Sequence, residues 1–96
     1  MEDDIKNLFA TRDKAVAKQD RKLFLSAQVD EIIGGSSDNY LAIDNLKSEV
    51  LHVYSESDIE KIVFVKETYS PKGKNPYSSF PVYFLVNTTK GWKIYK

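Results

Sequence analysis

The sequence contains no cysteine, which removes disulfides, thiolate nucleophiles and cysteine metal sites from consideration. It also has no net charge, because 14 Lys and Arg residues balance 14 Asp and Glu residues. A neutral chain has no overall field that attracts nucleic acid or an anionic membrane, so no nucleic-acid partner is expected. No run approaches the ~20 apolar residues of a membrane span, and the acidic start "MEDDIKNLF" lacks a signal-peptide pattern. We therefore expect no membrane insertion.

Motifs that carry catalytic or metal chemistry are also missing. His52 is the single histidine, and no HxH, HExxH, GxSxG or Asp-rich loop is present. The glycine pair at 34–35 lacks the spacing of a phosphate loop, which favours a turn. The sequence therefore predicts no metal and no cofactor, and His52 is interpreted as a surface histidine on a strand.

Apolar periodicity predicts helices in the first half of the chain. Between residues 3 and 19 apolar side chains recur at helical spacing, with one gap at Arg12. Gln19 and Asp20 then interrupt the pattern, which restarts at Phe24. We interpret this break as a corner between two helices, with Asp20 as the N-cap of a second helix over 21–28. A loop over 30–37 and a short third helix over 38–47 would follow.

From residue 48 the apolar period changes to two, and Val, Ile, Tyr, Phe and Thr dominate, as is typical of strands. Four strands are predicted, "SEVLHVYS", "IEKIVFVKETY", "SFPVYFLVNT" and "GWKIYK", separated by short turns. The 96 residues are therefore expected to form one α+β domain over 1–96. In it, N-terminal helices pack on a curved antiparallel meander of four strands or slightly more.

The residues of each strand can be assigned to the two faces of the sheet once two turns are assumed. We assume that Ser55 pairs with Glu60 and that residues 89–91 form a three-residue loop. Because side chains alternate between the faces along a strand, the core face then follows. It carries Leu51, Val53, Ile62, Phe64, Phe80, Val82, Phe84, Val86, Trp92 and Ile94. Trp92 is expected to anchor the last hairpin. Only Glu49, Lys66, Thr68 and Thr88 are polar on this face, so no catalytic residue is predicted.

The opposite face is rich in Tyr and Val, whereas a solvated sheet face is normally polar. This composition predicts a protein–protein interface on the outer face, formed by His52, Tyr54, Val63, Val65, Tyr83, Leu85 and Tyr95. The alternative is an ordinary surface, since exposed apolar residues are common.

Three segments resemble the NTF2-like (cystatin-like cone) superfamily. "RDKAVAKQDRKLFLS" (12–26) is similar to its opening helix pair, and "VYFLVNTTKGWKIYK" (82–96) to its final hairpin. "VLHVYSESDIEKIVFVKETY" (50–69) fits its third and fourth strands. The chain departs from the family between residues 29 and 48, where a strand pair and a pocket-lining helix are shortened. The resemblance implies a curved sheet wrapped around the helices, a cavity at the open end of the cone, and frequent dimerisation through the outer face.

Two functions follow as hypotheses. The first is a non-catalytic module that forms a homodimer or docks on a partner domain through the outer sheet face. The second is a cone cavity that binds a small apolar ligand or acts as an isomerase or dehydratase, with Tyr40, Asp44 and Glu49 at its mouth. Fold alone does not choose between them. The compartment stays open, and a domain of an exported bacterial protein is one alternative.

Overall fold

The computed structural model describes residues 2–29, 37–71 and 73–95. Three helices precede five strands: α1 Glu2–Lys18, α2 Arg21–Leu25, α3 Ser37–Leu41, β1 Ile43–Ser55, β2 Glu60–Pro71, β3 Tyr77–Ser79, β4 Val82–Thr88 and β5 Gly91–Ile94. The α+β architecture predicted from the sequence is confirmed. The glycine pair at 34–35, together with most of the predicted loop, lies outside the described residues.

The predicted corner between the first two helices is confirmed, and its hydrogen bonds explain why α1 ends there. Gln19 adopts φ 54°, in the left-handed region. The amide of Asp20 donates to the carbonyl of Ala15 at 2.8 Å, and the amide of Gln19 donates to Val16 at 3.2 Å. This pair of bonds is a Schellman motif, which ends a helix by satisfying its last carbonyls. Asp20 then caps α2, because its Oδ1 accepts from the Leu23 amide at 3.0 Å.

Both later helices are shorter than predicted. α2 ends at Leu25 because the chain beyond it joins the sheet: Ile94 donates to the Ala27 carbonyl and Val29 donates to the Ile94 carbonyl. This pairing covers the edge of β5. The predicted helix over 38–47 ends at Leu41, and residues 43–47 extend β1 instead. Asp44 and Asn45 are poor helix formers, which favours this outcome, and β2 is long enough to pair with Ile43 and Leu46 on either side of them.

The sheet is an antiparallel meander in the order β1-β2-β4-β5, with β3 as an additional short strand on β2. β3 pairs with the end of β2 and β4 pairs with its beginning, so both lie along the same side of β2. Phe80 and Pro81 separate them. Pro81 has no N–H to donate, but its carbonyl accepts from the Val65 amide at 3.1 Å, which keeps the two strands in line.

The strand register differs by one residue from the prediction in both hairpins. Ser55 pairs with Lys61 instead of Glu60, and Val53 pairs with Val63. A bulge between Val50 and His52 restores Val50 to its predicted partner Val65. In the last hairpin Thr88 pairs with Gly91, so the loop has two residues instead of three. The left-handed φ of 102° at Gly91 permits this tight connection.

A one-residue slip exchanges the two faces of a strand, and most of the predicted face assignments are therefore wrong. The predicted core residues Leu51, Phe64, Phe80 and Val82 are exposed on the outside. Trp92 lies on the inner face as predicted, where it is half-buried and packs against the margin of the core. Conversely, four residues that were predicted at the outer interface lie in the core. They are Val63, Val65, Tyr83 and Leu85.

The core consists of side chains from α1 and from the inner face of the sheet. Its largest cluster contains Ile5, Phe9, Val63, Val65, Tyr83, Leu85 and Ile94. Val53 packs against this cluster, so its inward placement and that of Ile94 agree with the prediction. His52 and Tyr54 lie on the outer face as predicted, exposed to solvent, and Tyr95 is half-buried beside Phe84.

Two leucines on opposite faces provide a direct test of the register. Leu85 is 0% exposed and Leu51 is 49% exposed. We expect Leu85→Ala to lower the free energy of unfolding by about 2–5 kcal/mol because it opens a cavity in the core. Leu51→Ala should change it by at most about 0.5 kcal/mol. Urea unfolding of both variants measures the difference. A larger loss of stability in Leu51→Ala than in Leu85→Ala would support the face assignment predicted from the sequence.

Candidate functional site

Arg12 lies inside the protein, at the position where the apolar pattern of α1 has its gap. Its side chain is 0% exposed. The guanidinium carbon lies 4.7–5.5 Å from the centres of four aromatic rings, those of Phe9, Phe24, Tyr40 and Tyr83. Aromatic faces attract a cation, and more strongly once water is excluded. These contacts explain how a charged side chain is tolerated at a buried helical position.

Glu67 provides the counter-charge. It lies on the inner face of β2, in line with Val63 and Val65, and is 2% exposed. Arg12 Nη1 is 3.3 Å from Glu67 Oε2. A buried ion pair loses the hydration of both charges, so it persists only where further hydrogen bonds satisfy the two groups.

Two tyrosines supply those hydrogen bonds. The Tyr83 hydroxyl donates to Glu67 Oε2 and accepts from Arg12 Nη2 at 3.3 Å. The Tyr40 hydroxyl is 2.9 Å from Glu67 Oε1 and 2.7 Å from the Tyr83 hydroxyl. Arg12, Tyr40, Glu67 and Tyr83 are referred to below as the buried polar cluster. It joins α1, α3, β2 and β4.

The two tyrosines and the arginine of the cluster keep their protons at physiological pH. Burial raises the pKa of Tyr83 and that of Tyr40, so both hydroxyls keep their protons. Burial acts to lower the pKa of Arg12, but Tyr83, Tyr40 and Glu67 around it outweigh that effect and raise it. Arg12 therefore remains positive. One of its donors, Nε, has no acceptor among the described residues.

A cavity of about 310 Å³ adjoins the cluster on the side of α3 and β3. Its walls are formed by Asn39, Tyr40, Ile43, Glu67, Tyr69, Ser79 and Pro81. The break in the strand line at Phe80 and Pro81 helps to form this opening. Glu67 and Tyr40 thus belong both to the buried polar cluster and to the wall of the cavity.

Of the three residues predicted at the mouth of the cone, the structure places only Tyr40 in the cavity wall. Asp44 and Glu49 are exposed on β1 and are not among the lining residues. The sequence predicted Glu49, Lys66, Thr68 and Thr88 as the polar residues of the inner face, whereas the structure buries Glu67 and Tyr83 there. A carboxylate in phase with Val63 and Val65, and an arginine in phase with the apolar face of α1, were the signals in the sequence that pointed to them.

The described residues contain no group of acidic or histidine side chains arranged to hold a metal ion. None of the described helices is both long and apolar enough to cross a membrane.

Comparison with known proteins reveals similarity in structure. No protein-family model matches the sequence, and no curated protein matches it. An NTF-2 like protein of unknown function from Shewanella oneidensis MR-1 superimposes with a TM-score of 0.75 at 13% identity, over 97% of this chain and 93% of that one. A ketosteroid isomerase-like protein from Erwinia carotovora atroseptica SCRI1043 gives 0.68 at 14% identity, over 94% and 87%. The chain therefore has the NTF2-like fold that the sequence resemblance predicted.

The energetic role of the ion pair can be measured by mutation. Glu67→Gln leaves Arg12 buried without a counter-charge, so we expect the free energy of unfolding to fall by about 3–5 kcal/mol. The double variant Arg12→Leu/Glu67→Gln should lose less than the sum of its two single changes, because it removes both charges.

The exposed pair of Arg21 and Asp38, with its atoms 2.5 Å apart, is the matched control. Asp38→Asn should cost at most about 1 kcal/mol, since solvent screens that pair. Equal losses in Glu67→Gln and Asp38→Asn, measured by denaturant unfolding, would contradict a desolvated Arg12–Glu67 pair.

Proposed function

We propose that this NTF2-like chain binds a small molecule in the cavity beside the buried polar cluster. The observation that carries the proposal is that Glu67, a buried carboxylate paired with a buried arginine, forms part of the cavity wall. Ligand sites typically combine an apolar lining with a few convergent polar groups. Here Tyr69, Ile43 and Pro81 provide the lining, while Tyr40 and Glu67 provide the polar groups.

Energetics support a functional role for the cluster. Replacing a buried ion pair by well-packed apolar residues is often neutral or stabilising. A chain of 96 residues has a modest core and gains little stability from burying two charges. A charged cluster beside a cavity therefore marks a functional site more readily than a structural one. The cavity is at the lower end of the ~300–1,000 Å³ range of ligand pockets, so the ligand would be small.

We propose binding without catalysis. A general base needs a free acceptor near its substrate, whereas Oε2 of Glu67 already accepts from Arg12 and Tyr83. Oε1 faces the Tyr40 hydroxyl at 2.9 Å. The name of the ketosteroid isomerase-like neighbour describes that protein, and at 14% identity the likeness extends only to the fold.

The outer face of the sheet supports a second candidate function, self-association. Phe64 and Val82 are paired across two strands at its centre and are 41% and 43% exposed. Leu51 and Tyr54 on β1 extend the same face and are also exposed. Monomeric proteins rarely expose a continuous apolar patch of this kind. These four residues, with Ile62 and Phe84 between them, are called the outer patch.

A second copy of the chain fits the outer patch better than a charged partner. The patch contains no charged side chain, and the chain as a whole has no net charge that would make two copies repel. A twofold axis through Phe64 would bring two identical apolar surfaces together, as in most homodimers. The molecule extends 42 by 25 Å along its two longest axes, which leaves room for the ~800 Å² per partner of a standard interface.

Two adjacent serines of β3 test the cavity. Ser79 lines it, whereas Ser78 is exposed and pairs with Thr68 on the other side of the strand. We expect a fragment library, screened by amide chemical shifts, to perturb residues 39–43, 67–69 and 79. Ser79→Trp should abolish those responses because the indole fills the space, and Ser78→Trp should leave them intact. Fragments that bind equally well to Ser79→Trp would contradict a site in this cavity.

Light scattering over a dilution series tests self-association. We expect a mass of twice the 11.0 kDa chain at high concentration, and Phe64→Lys should shift the protein to the monomer because it places a charge in the outer patch. Ile59→Lys is the control, since Ile59 is an exposed apolar residue in the turn between β1 and β2. A monomer at all concentrations, or equal effects of both variants, would exclude the outer patch as the interface.

A further inference from the structure

A second cavity opens on the inner face of the sheet, at the far end of β2 from the buried polar cluster. Lys61, at the start of β2, lines this second cavity, whereas Glu67 and Tyr69 line the cavity beside the cluster. The second cavity has a volume of about 640 Å³, within the ~300–1,000 Å³ range of ligand pockets. Its walls come from the beginning of α1 and from the β1–β2 and β4–β5 hairpins. Neither proposed function uses it.

Lys61 is held on the inner face by two contacts. It pairs with Ser55 across β1 and β2 and alternates with Ile62, so its side chain lies on the same face as Val63. Lys61 Nζ donates to Ser55 Oγ at 2.7 Å and lies 5.1 Å from the centre of the Trp92 ring. Because an aromatic face attracts a cation, the hydroxyl and the indole together fix the position of the ammonium group.

The Lys61 ammonium group has no counter-charge in the part of the chain that the structure describes, where it forms no ion pair. An ammonium group carries three donors, and Ser55 accepts from one of them. Lys61 is half-buried, so its charge is partly removed from water without being neutralised. A cation that is fixed in place before binding loses little further freedom when an anionic group pairs with it.

Two carboxylates line the same cavity. Asp4 lies near the start of α1, and Asp58 lies in the turn between β1 and β2. A ligand that carries only a negative charge would be repelled by these carboxylates, and one that carries only a positive charge would be repelled by Lys61. A molecule with both charges meets an opposite charge at each end. The lining therefore favours a zwitterion.

From this arrangement of charges we infer a second binding site, which takes a small zwitterion such as a free amino acid or a dipeptide. The carboxylate of the ligand accepts from Lys61 Nζ, and its ammonium group faces Asp4 and Asp58. An apolar side chain of the ligand packs against Val53 and Trp92, which line the same cavity. Asp4 and Asp58 are exposed, and water weakens exposed charge pairs, so we expect an affinity of about 1 mM.

Leucine and three of its derivatives separate the two charges of the ligand. N-acetyl-leucine keeps only the carboxylate, leucinamide keeps only the ammonium group, and N-acetyl-leucinamide keeps neither. Each is titrated into the chain at low ionic strength and about pH 6.5, where an α-amino group is protonated. Trp92 is the single tryptophan, so its fluorescence reports on this cavity. We expect leucine to bind about tenfold more tightly than each derivative, the usual advantage of a hydrogen bond to a charged group.

Two lysines of β2 provide the variant and its control. Lys61→Met removes the charge but keeps the length of the side chain, so leucine should bind about tenfold more weakly, and N-acetyl-leucinamide should be unaffected. Lys66 is also half-buried, but it alternates with Glu67 and therefore lies on the outer face, opposite Glu49. Lys66→Met should leave leucine binding unchanged.

The double variant Asp4→Asn/Asp58→Asn tests the other end of the ligand. It removes both the repulsion of an anion and the attraction of an ammonium group, so N-acetyl-leucine should then bind at least as tightly as leucine. If leucine keeps its tenfold preference in this variant, the two carboxylates do not recognise the ammonium group and the inferred ligand class is wrong.

The remaining outcomes would also overturn the inference. No change in Trp92 fluorescence or in its indole N–H chemical shift on addition of leucine would exclude binding in the second cavity. Equal affinity of leucine and N-acetyl-leucinamide would show that the charges are not recognised. Equal losses in Lys61→Met and Lys66→Met would exclude Lys61 as the group that binds the anion. None of these results bears on the cavity beside the buried polar cluster.

Discussion

The contact between Arg12 and Glu67 constrains most of the structure, because two buried charges must meet or the fold loses several kcal/mol. Arg12 comes from α1 and Glu67 from the inner face of β2, so their pairing fixes how the helix lies on the sheet. The rings that enclose Arg12 come from α1, α2, α3 and β4. Five elements thus meet at one ion pair, and the cavity opens where this packing ends.

Much of the fold follows from local signals in the sequence. Asp20 caps α2 as its residue type predicts, and four of the strands overlap the segments where apolar residues alternate with period two. The strand register does not follow from these local signals, because both faces of the strands are apolar. In β2, for example, Ile62 and Phe64 alternate with Val63 and Val65. Hydrophobicity therefore could not choose between them. The choice depends on the bulge after Val50 and on the two-residue loop before Gly91, and neither has a distinct sequence signature.

The site was less predictable than the fold for a related reason. Arg12 and Glu67 are 55 positions apart, so no motif of fixed spacing contains them, and each alone looks like an ordinary surface charge. Tyr40 could be named from its place in the middle segment, but its partner Tyr83 was assigned to the opposite face by the register error. The correct faces give the molecule two distinct surfaces. A polar cluster and cavity lie inside the cone, and an apolar patch lies outside it.

The position of Arg12 against the inner face of the sheet is the central claim, and nuclear Overhauser effects measure it most directly. The structure predicts cross-peaks from the Arg12 side chain to the rings of Phe24 and Tyr40, and from Phe9 to Tyr83, whose ring centres are 5.3 Å apart. It also predicts guanidinium protons that are protected from exchange with water. Cross-peaks from Phe9 to Phe64 or Phe84, with a rapidly exchanging Arg12, would contradict it and place the opposite face of the sheet against α1.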